Sequence, residues 1–279
     1  MIIAKVTESE IVDYYNDCWL NRFKDGHNPA SLAMHLGYFE HESNNDLAKV
    51  DTNRFLLNQL QIPQYQPVRI IDLGCGVGGT CIYLSKYNPG SEIKGVNISF
   101  EQVAFAKEQA KLQNCDKNIE FIARSYVDTG LPDESFDFVY GVESICHAER
   151  KSDVFEEAYR LLKVGGKFAL LDYFEVNKNE DSLSEKLLND FRRGWAVNEY
   201  LKDVSAALQK IGFADIQEKD ITHHVLPGIQ NSYDKAIRKL SSLQLDGNSW
   251  MHAHLQACKS LKQLVENNLI EYRVVVAVK

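Results

Sequence analysis

IIDLGCGVGGTCI, Ile70 to Ile82, is the stretch on which the reading of this chain turns. Gly74, Gly76 and Gly79 satisfy G-x-G-x-x-G, the spacing of a dinucleotide-binding loop. With Asp72 and Gly78 included, the same residues read D-x-G-x-G-x-G, which points to another cofactor and another chemistry. An apolar strand leads into the glycines and a helix leads out. That arrangement aims backbone N–H groups at an anion, whichever cofactor supplies it.

Outward from the loop, short apolar runs alternate with amphipathic helices. VRIIDL, IKGVNI, IEFIAR, FDFVYGV and KFALLDYF read as strands, separated by helical segments such as DVFEEAYRLLK. Ser99 to Gln102 cap a helix carrying Val103, Ala106 and Ala110. The pattern predicts an α/β fold with a doubly wound, mostly parallel, seven-stranded sheet. The first sixty residues read as helical. Thr7 and Glu10 form a capping box ahead of Ile11, Tyr14, Tyr15, Cys18 and Trp19, and a second helix spans Asp46 to Leu60. Pro63 and Pro67 mark a boundary, giving a helical cap over residues 1–66 and a main domain over 67–279. At the far end ADIQEKDIT and EYRVVVAVK read as strands around a helical stretch from Ser232 to Asn268, with the last strand an antiparallel addition to the sheet edge. Residues 175–205 and 230–268 are candidate lid or substrate segments, and the second also a candidate homodimer surface.

A net charge of -8 argues against a general nucleic-acid binder, which needs clustered Lys and Arg. No apolar stretch is long enough to span a bilayer, and MIIAKVTESE lacks the basic and apolar regions of a leader. The six cysteines form no C-x-x-C pair, which suits a reducing compartment. The expectation is a cytoplasmic protein with a small-molecule substrate and no metal site.

The two loop readings differ in their anion. A dinucleotide enzyme places a pyrophosphate there; an S-adenosylmethionine site places the methionine carboxylate. The second strand end, where the ribose is held, carries Asn97 rather than an acid, which weakens the dinucleotide reading. From Arg69 to Phe174 the sequence resembles class I S-adenosylmethionine-dependent methyltransferases. DLGCGVGGT matches that family's first motif and GVNIS its second-strand motif, where sterol C-methyltransferases also carry a non-acidic residue. LPDESFDFVYGVESICHA matches the fourth-strand region and LLKVGGKFALLDYF the helix–turn–strand that follows. The resemblance implies S-adenosylmethionine as cofactor. It places Asp72, Gly74 and Gly76 at the methionine and ribose end, Asn97 and Gln102 near the ribose, and the adenine near Ser125 and Tyr126. Ser125 stands where the family pattern has an acid.

GVESICHAERK follows the fourth strand, at the carboxyl end of the sheet where open α/β folds bind ligands. Glu143 and His147 are four apart, so on a helical turn they share a face and form an acid–imidazole pair able to take a substrate proton. Similar pairs occur in phosphoethanolamine N-methyltransferases and sterol C-methyltransferases. By the same resemblance, Tyr14 reaches the cofactor's methionine end, and His35, Tyr38, Trp195 and His223 contact substrate. Arg192 and Arg193 read as a solvated helix face that would suit an anionic head group. The overall resemblance to sterol and tocopherol C-methyltransferases predicts methylation of carbon on an apolar or terpenoid-like acceptor, with nitrogen and oxygen left open.

Overall fold

The strands form where the apolar runs lie: β1 (Arg69–Leu73), β2 (Glu92–Asn97), β3 (Ile119–Ala123), β4 (Phe136–Val142), β5 (Leu162–Glu175), β6 (Ala214–Asp220) and β7 (Ile270–Val278). In this computed structural model, which describes residues 5–20, 31–40, 44–177, 181–197, 201–242, 247 and 249–279, they make one sheet of order β3-β2-β1-β4-β5-β7-β6. Only β7 runs antiparallel to its neighbours. The helices are α1 (Glu8–Tyr15), α2 (Asn45–Leu60), α3 (Gly79–Tyr87), α4 (Phe100–Leu112), α5 (Lys151–Leu161), α6 (Ser182–Gly194), α7 (Val204–Ile211), α8 (Thr222–Ser242) and α9 (Trp250–Glu266).

Residue alternation along β1 shows why both faces are covered. Ile70 points into one core, which also holds Leu60 of α2 and Leu84 of α3, and Ile71 and Leu73 into the other, which holds Phe155 of α5 and Leu208 of α7. A central parallel strand needs apolar residues on both faces, which is why, after Arg69, IIDL reads as an apolar run broken only by Asp72. The strand order reverses between β1 and its neighbours β2 and β4, so their carboxyl ends open a crevice.

The expected N-terminal signals are present. Thr7 Oγ1 accepts from the Glu10 amide at 3.3 Å while Glu10 accepts from the Thr7 amide at 2.8 Å. The helix then loosens into a wider turn over Asn16–Leu20.

The C-terminal expectations change in two respects. EYRVVVAVK is not the sheet edge: β7 inserts between β5 and β6, and β6 takes the edge. Its residues are buried on both sides, as in VVVAV, whereas β6 is largely exposed and charged, as edge strands are. The single helix expected from Ser232 begins ten residues earlier and divides into α8 and α9. Pro227 lies in the second turn of α8, where it removes one backbone hydrogen bond without ending the helix. Parts of the expected cap and lid segments, residues 1–4, 21–30, 41–43, 178–180, 198–200, 243–246 and 248, lie outside the described residues.

Candidate active site

The glycine loop lies over the carboxyl end of β1 because three of its residues, Gly74, Gly76 and Gly78, adopt backbone angles closed to most side chains. Gly74 has φ +104° and Gly76 φ +52°. A Cβ on Gly74 would lie 2.4 Å from Ser144 Cβ, so the loop after β4 packs directly on the glycines. Ser144 Oγ fastens that contact by donating to the Leu73 carbonyl at 2.6 Å.

Asn97 ties the loop to α4. Its Nδ2 donates to the Gly76 carbonyl at 3.1 Å and to Gln102 Oε1 at 2.6 Å, and its Oδ1 accepts from the Ser99 amide at 3.2 Å. The opposite end of the Gln102 amide, Nε2, is buried and has no protein partner. A buried donor left unmade is costly, so this nitrogen suits a ligand acceptor such as a ribose oxygen. Asp72 is 4% exposed, and burial pushes its carboxyl up to about 7 despite the Tyr140 and Cys81 side chains that bond it. A bound ammonium or hydroxyl would restore the ionised form. These features fit S-adenosylmethionine, with Asp72, Gly74, Gly76, Asn97 and Gln102 as the residues that would hold it.

α1 and the segment from Ser31 to Leu36 close over this floor and define a cavity of about 300 Å³. That volume lies at the lower bound for a small-molecule site. Asp72, Gly74, Gly76, Asn97, Gln102 and Tyr126 line one part of it. Glu143, His147, Tyr15, His35, Tyr173 and Trp195 also line it, so the glycine loop and the loop after β4 share one space.

Glu143 and His147 both face the cavity but do not pair with each other through their side chains. Glu143 has φ +48°, which interrupts the helical turn their spacing suggested, and only Ile145–His147 form a short turn of helix. The Glu143 carboxylate instead accepts from the Leu36 amide at 2.7 Å, the Tyr272 hydroxyl at 2.9 Å and the Tyr173 hydroxyl at 3.3 Å. Tyr173 and Tyr272 are direct partners across the β5–β7 pairing, which explains why both reach one carboxylate. Burial pushes Glu143 up to about 7 against the pull of those donors.

His147 has its own chain of contacts. Nδ1 faces the Ala196 carbonyl at 3.0 Å, which can only accept, so Nδ1 carries the proton. Burial pushes the ring down to about 4 and keeps it neutral, and Nε2 therefore accepts from the Tyr15 hydroxyl at 2.6 Å. Asp172, accepting from the Cys146 amide at 3.1 Å, fixes the turn that carries His147.

Several expected residues take other places. Tyr14 lines the cavity, but its hydroxyl is hydrogen-bonded with His254 Nδ1 at 3.1 Å; its neighbour Tyr15 is the one that meets His147. Ser125, Tyr38 and His223 do not line the cavity. Ser125 Oγ donates to Glu8 at 2.6 Å and holds α1 down. Tyr38 is buried between Phe55 and His224, at ring distances of 4.4 and 4.2 Å. His223 is exposed on the first turn of α8 because that helix starts early. Arg192 and Arg193 also lie outside the cavity; Arg192 is 3.9 Å from Glu175 and Arg193 is exposed. Tyr15, Tyr173 and Tyr272 were missed. No local pattern marks them, since their roles depend on a helix rotation and a strand register.

Residues 71–170 match a methyltransferase domain family. The sterol 24-C-methyltransferase of Kluyveromyces lactis is 28% identical over 224 residues, covering 76% of this chain and 54% of that protein. The chain spans about half the length of the curated relatives it matches. Among solved structures, geranyl diphosphate C-methyltransferase from Streptomyces coelicolor A3(2), in complex with Mg2+, geranyl diphosphate and S-adenosyl-L-homocysteine, superposes with a TM-score of 0.76. It is 18% identical, with 99% of each chain covered. The [4+2]-cyclase SpnF superposes with a TM-score of 0.79 at 17% identity, covering 99% of this chain and 98% of that one. No helix among the described residues is long and apolar enough to cross a membrane. A sheet with one antiparallel strand, a glycine loop with its Asn97–Gln102 brace and the domain match agree: residues 71–170 of this chain carry a methyltransferase domain.

Proposed function

We propose that the chain is an S-adenosylmethionine-dependent methyltransferase that methylates a carbon of an apolar, terpenoid-like small molecule. The observation that carries the reading is the single cavity joining the glycine loop to Glu143. The likeness to sterol 24-C-methyltransferases over 76% of the chain supports the acceptor class. Bound S-adenosylmethionine supplies an electrophilic methyl group on a sulfonium. The protein's share is to hold the acceptor in line at near-attack distance and keep water out. Met34, Leu32 and Val142 give that space an apolar wall, and Tyr15, Tyr173 and Trp195 give it an aromatic one. Glu143, in its ionised form, faces positive charge developing on an acceptor carbon and takes the proton lost afterwards. In this reading residues 1–66 act as the cap of the 67–279 domain, α8 and α9 belong to the lid and are the candidate homodimer face, and the protein is cytoplasmic with a role in secondary metabolism.

The Tyr15–His147 bond favours a second reading, methylation of oxygen or nitrogen. An acceptor O–H or N–H donating to the Tyr15 oxygen would pass a proton along to His147 Nε2. Transfer of labelled methyl from S-adenosylmethionine into metabolite extracts, with mass spectrometry of the product, separates the two. A new carbon–methyl bond on an apolar product supports the first reading. A methyl on nitrogen or oxygen replaces it with the second, and no transfer to any metabolite removes both.

A further inference from the structure

The short turn of helix over Ile145–His147 brings His147 to the cavity, and so short a turn has few hydrogen bonds of its own. The His147 amide donates to the Ser144 carbonyl at 3.2 Å and the Ala148 amide to the Ile145 carbonyl at 3.1 Å. Carbonyls at the far end of such a turn find no partner within it. Here they are met from outside. Lys151 Nζ donates to the Cys146 carbonyl at 2.8 Å and to the Ala148 carbonyl at 2.7 Å. These two carbonyls flank His147, so one ammonium grips the chain both before and after it.

The place of this lysine in the sequence is unfavourable for its own helix. Lys151 is the first residue of α5, where a cation meets the positive end of the helix dipole. The ammonium folds back instead onto the carboxyl end of the Ile145–His147 turn, where the partial charge is negative. Asp172 completes the clamp: it accepts from the Cys146 amide at 3.1 Å and from the Tyr173 amide at 2.9 Å.

The imidazole held by this clamp has two defined bonds, Nδ1 with the Ala196 carbonyl at 3.0 Å and Nε2 with the Tyr15 hydroxyl at 2.6 Å. The second persists only while the ring is neutral, because a protonated Nε2 cannot accept. The titratable groups around the ring and its turn are Tyr15 of α1, Glu143 and Cys146 of the same loop, Asp172 of β5 and Lys151 of α5. The exposed Glu149 and Arg150 are paired with Lys5 at 2.7 Å and Asp153 at 2.9 Å. Burial is the main cause holding the ring down to about 4, and the Lys151 charge adds to it.

We infer that Lys151 is a positioning residue whose ammonium, by gripping the Cys146 and Ala148 carbonyls, sets His147 so that Nε2 receives the Tyr15 hydroxyl. Lys151 does not line the cavity and acts through His147. This deepens the proposed function and rests on it for the part that the Tyr15–His147 pair plays in methyl transfer.

The test reads the ring nitrogens of His147 by NMR in the full chain with isotope-labelled histidine. His147→Gln identifies the signals, and Tyr15→Phe gives the signal of a ring without its hydroxyl partner. Wild type should show a neutral ring, protonated at Nδ1, from about pH 5 to about pH 8. Lys151→Met keeps the apolar stem and loses the ammonium. Its Nε2 signal should move toward that of Tyr15→Phe, and its ring should begin to take a proton at higher pH than in wild type. Lys151→Arg should keep most of the wild-type signal. Methyl transfer from labelled S-adenosylmethionine into a metabolite extract should fall roughly tenfold in Lys151→Met, the worth of one charge-assisted hydrogen bond. Added to His147→Ala, the same substitution should cost nothing further.

Unchanged His147 signals in Lys151→Met would overturn the inference even if the melting temperature fell, since the lysine would then serve stability alone. A Lys151→Arg chain as disturbed as Lys151→Met, or equal losses of transfer with and without His147, would overturn it as well. If Lys151→Met does not fold, Lys151→Gln, uncharged and shorter, is read in the same way. Absence of methyl transfer by wild type is a separate result: it removes the proposed function, while the ring signals still decide whether Lys151 sets His147.

Discussion

The two parts of the cavity are built by different means. The proposed cofactor cradle comes from residues close in sequence: Asp72, Gly74, Gly76, Asn97 and Gln102 lie within 72–102, on consecutive β–α units. The proposed acceptor side gathers Tyr15, His35, Glu143, His147, Tyr173 and Trp195 from five separated segments. The cradle depends on backbone angles and short-range hydrogen bonds. The acceptor side depends on how α1, the 31–36 segment and the β5–β7 pair settle on the sheet. A local device tolerates change elsewhere in the chain, whereas an assembled one can be altered by moving any of its elements.

If that division holds, variants on the acceptor side should lower turnover and leave cofactor affinity alone, while cradle variants should do the reverse. The largest effect is expected for Glu143→Gln, with kcat down about 10²- to 10⁴-fold and the S-adenosylmethionine Kd changed by no more than a few-fold. A Kd that rose in step with the loss of kcat would break the comparison. His147→Ala should cost about 10²-fold in kcat. Tyr15→Phe should cost less, and the double variant should be no worse than His147→Ala alone, because the two act as a unit joined at 2.6 Å. Fully additive losses would show that they act apart.

Gly76→Ala should weaken cofactor binding and lower stability by about 1–3 kcal/mol, since it forces a side chain into the left-handed region against Met34. Unchanged melting temperature and Kd would remove the loop from the cradle. The smallest effect is expected for Ser125→Ala, less than about twofold in either quantity, because its exposed hydrogen bond to Glu8 is replaced by water.

Glu143 also gives the comparison a pH signature. Its carboxyl is raised from 4.5 to about 7, so between those values the folded chain holds a proton that the unfolded chain has released. The stability this gives is fully present below about 4.5 and lost as pH rises through about 7. Wild type should therefore lose melting temperature relative to Glu143→Gln between about pH 5 and about pH 8. Activity runs the other way. If the carboxylate is the working form, kcat/KM rises with pH through about 7, and a profile unchanged in Glu143→Gln would assign the rise to another group.

The same division explains what could be read from the sequence. IIDLGCGVGGTCI and GVNIS carried the cradle because positive-φ glycines and a strand-end amide are local requirements with local signatures. The position of Glu143 and His147 at the cavity was legible for a similar reason: the carboxyl ends of β1 and β4 flank the reversal of strand order. The acid–imidazole pair was not, because one residue with φ +48° undid the helical spacing. Resemblance points to Tyr14, but Tyr14 and Tyr15 both fit the apolar face of the helix, and only the packing of α1 shows that Tyr15 turns toward His147. Tyr173 and Tyr272 meet because β7 inserts beside β5, a pairing of residues about a hundred apart in sequence that no local pattern encodes.

The central claim is that the glycine loop cradles S-adenosylmethionine and not a dinucleotide. Calorimetric titration of the purified chain with S-adenosylmethionine, NAD and NADP tests it most directly. The account predicts saturable one-to-one binding of S-adenosylmethionine, lost or weakened in Gly76→Ala, and no binding of either dinucleotide. Binding of NAD or NADP with no affinity for S-adenosylmethionine would contradict it.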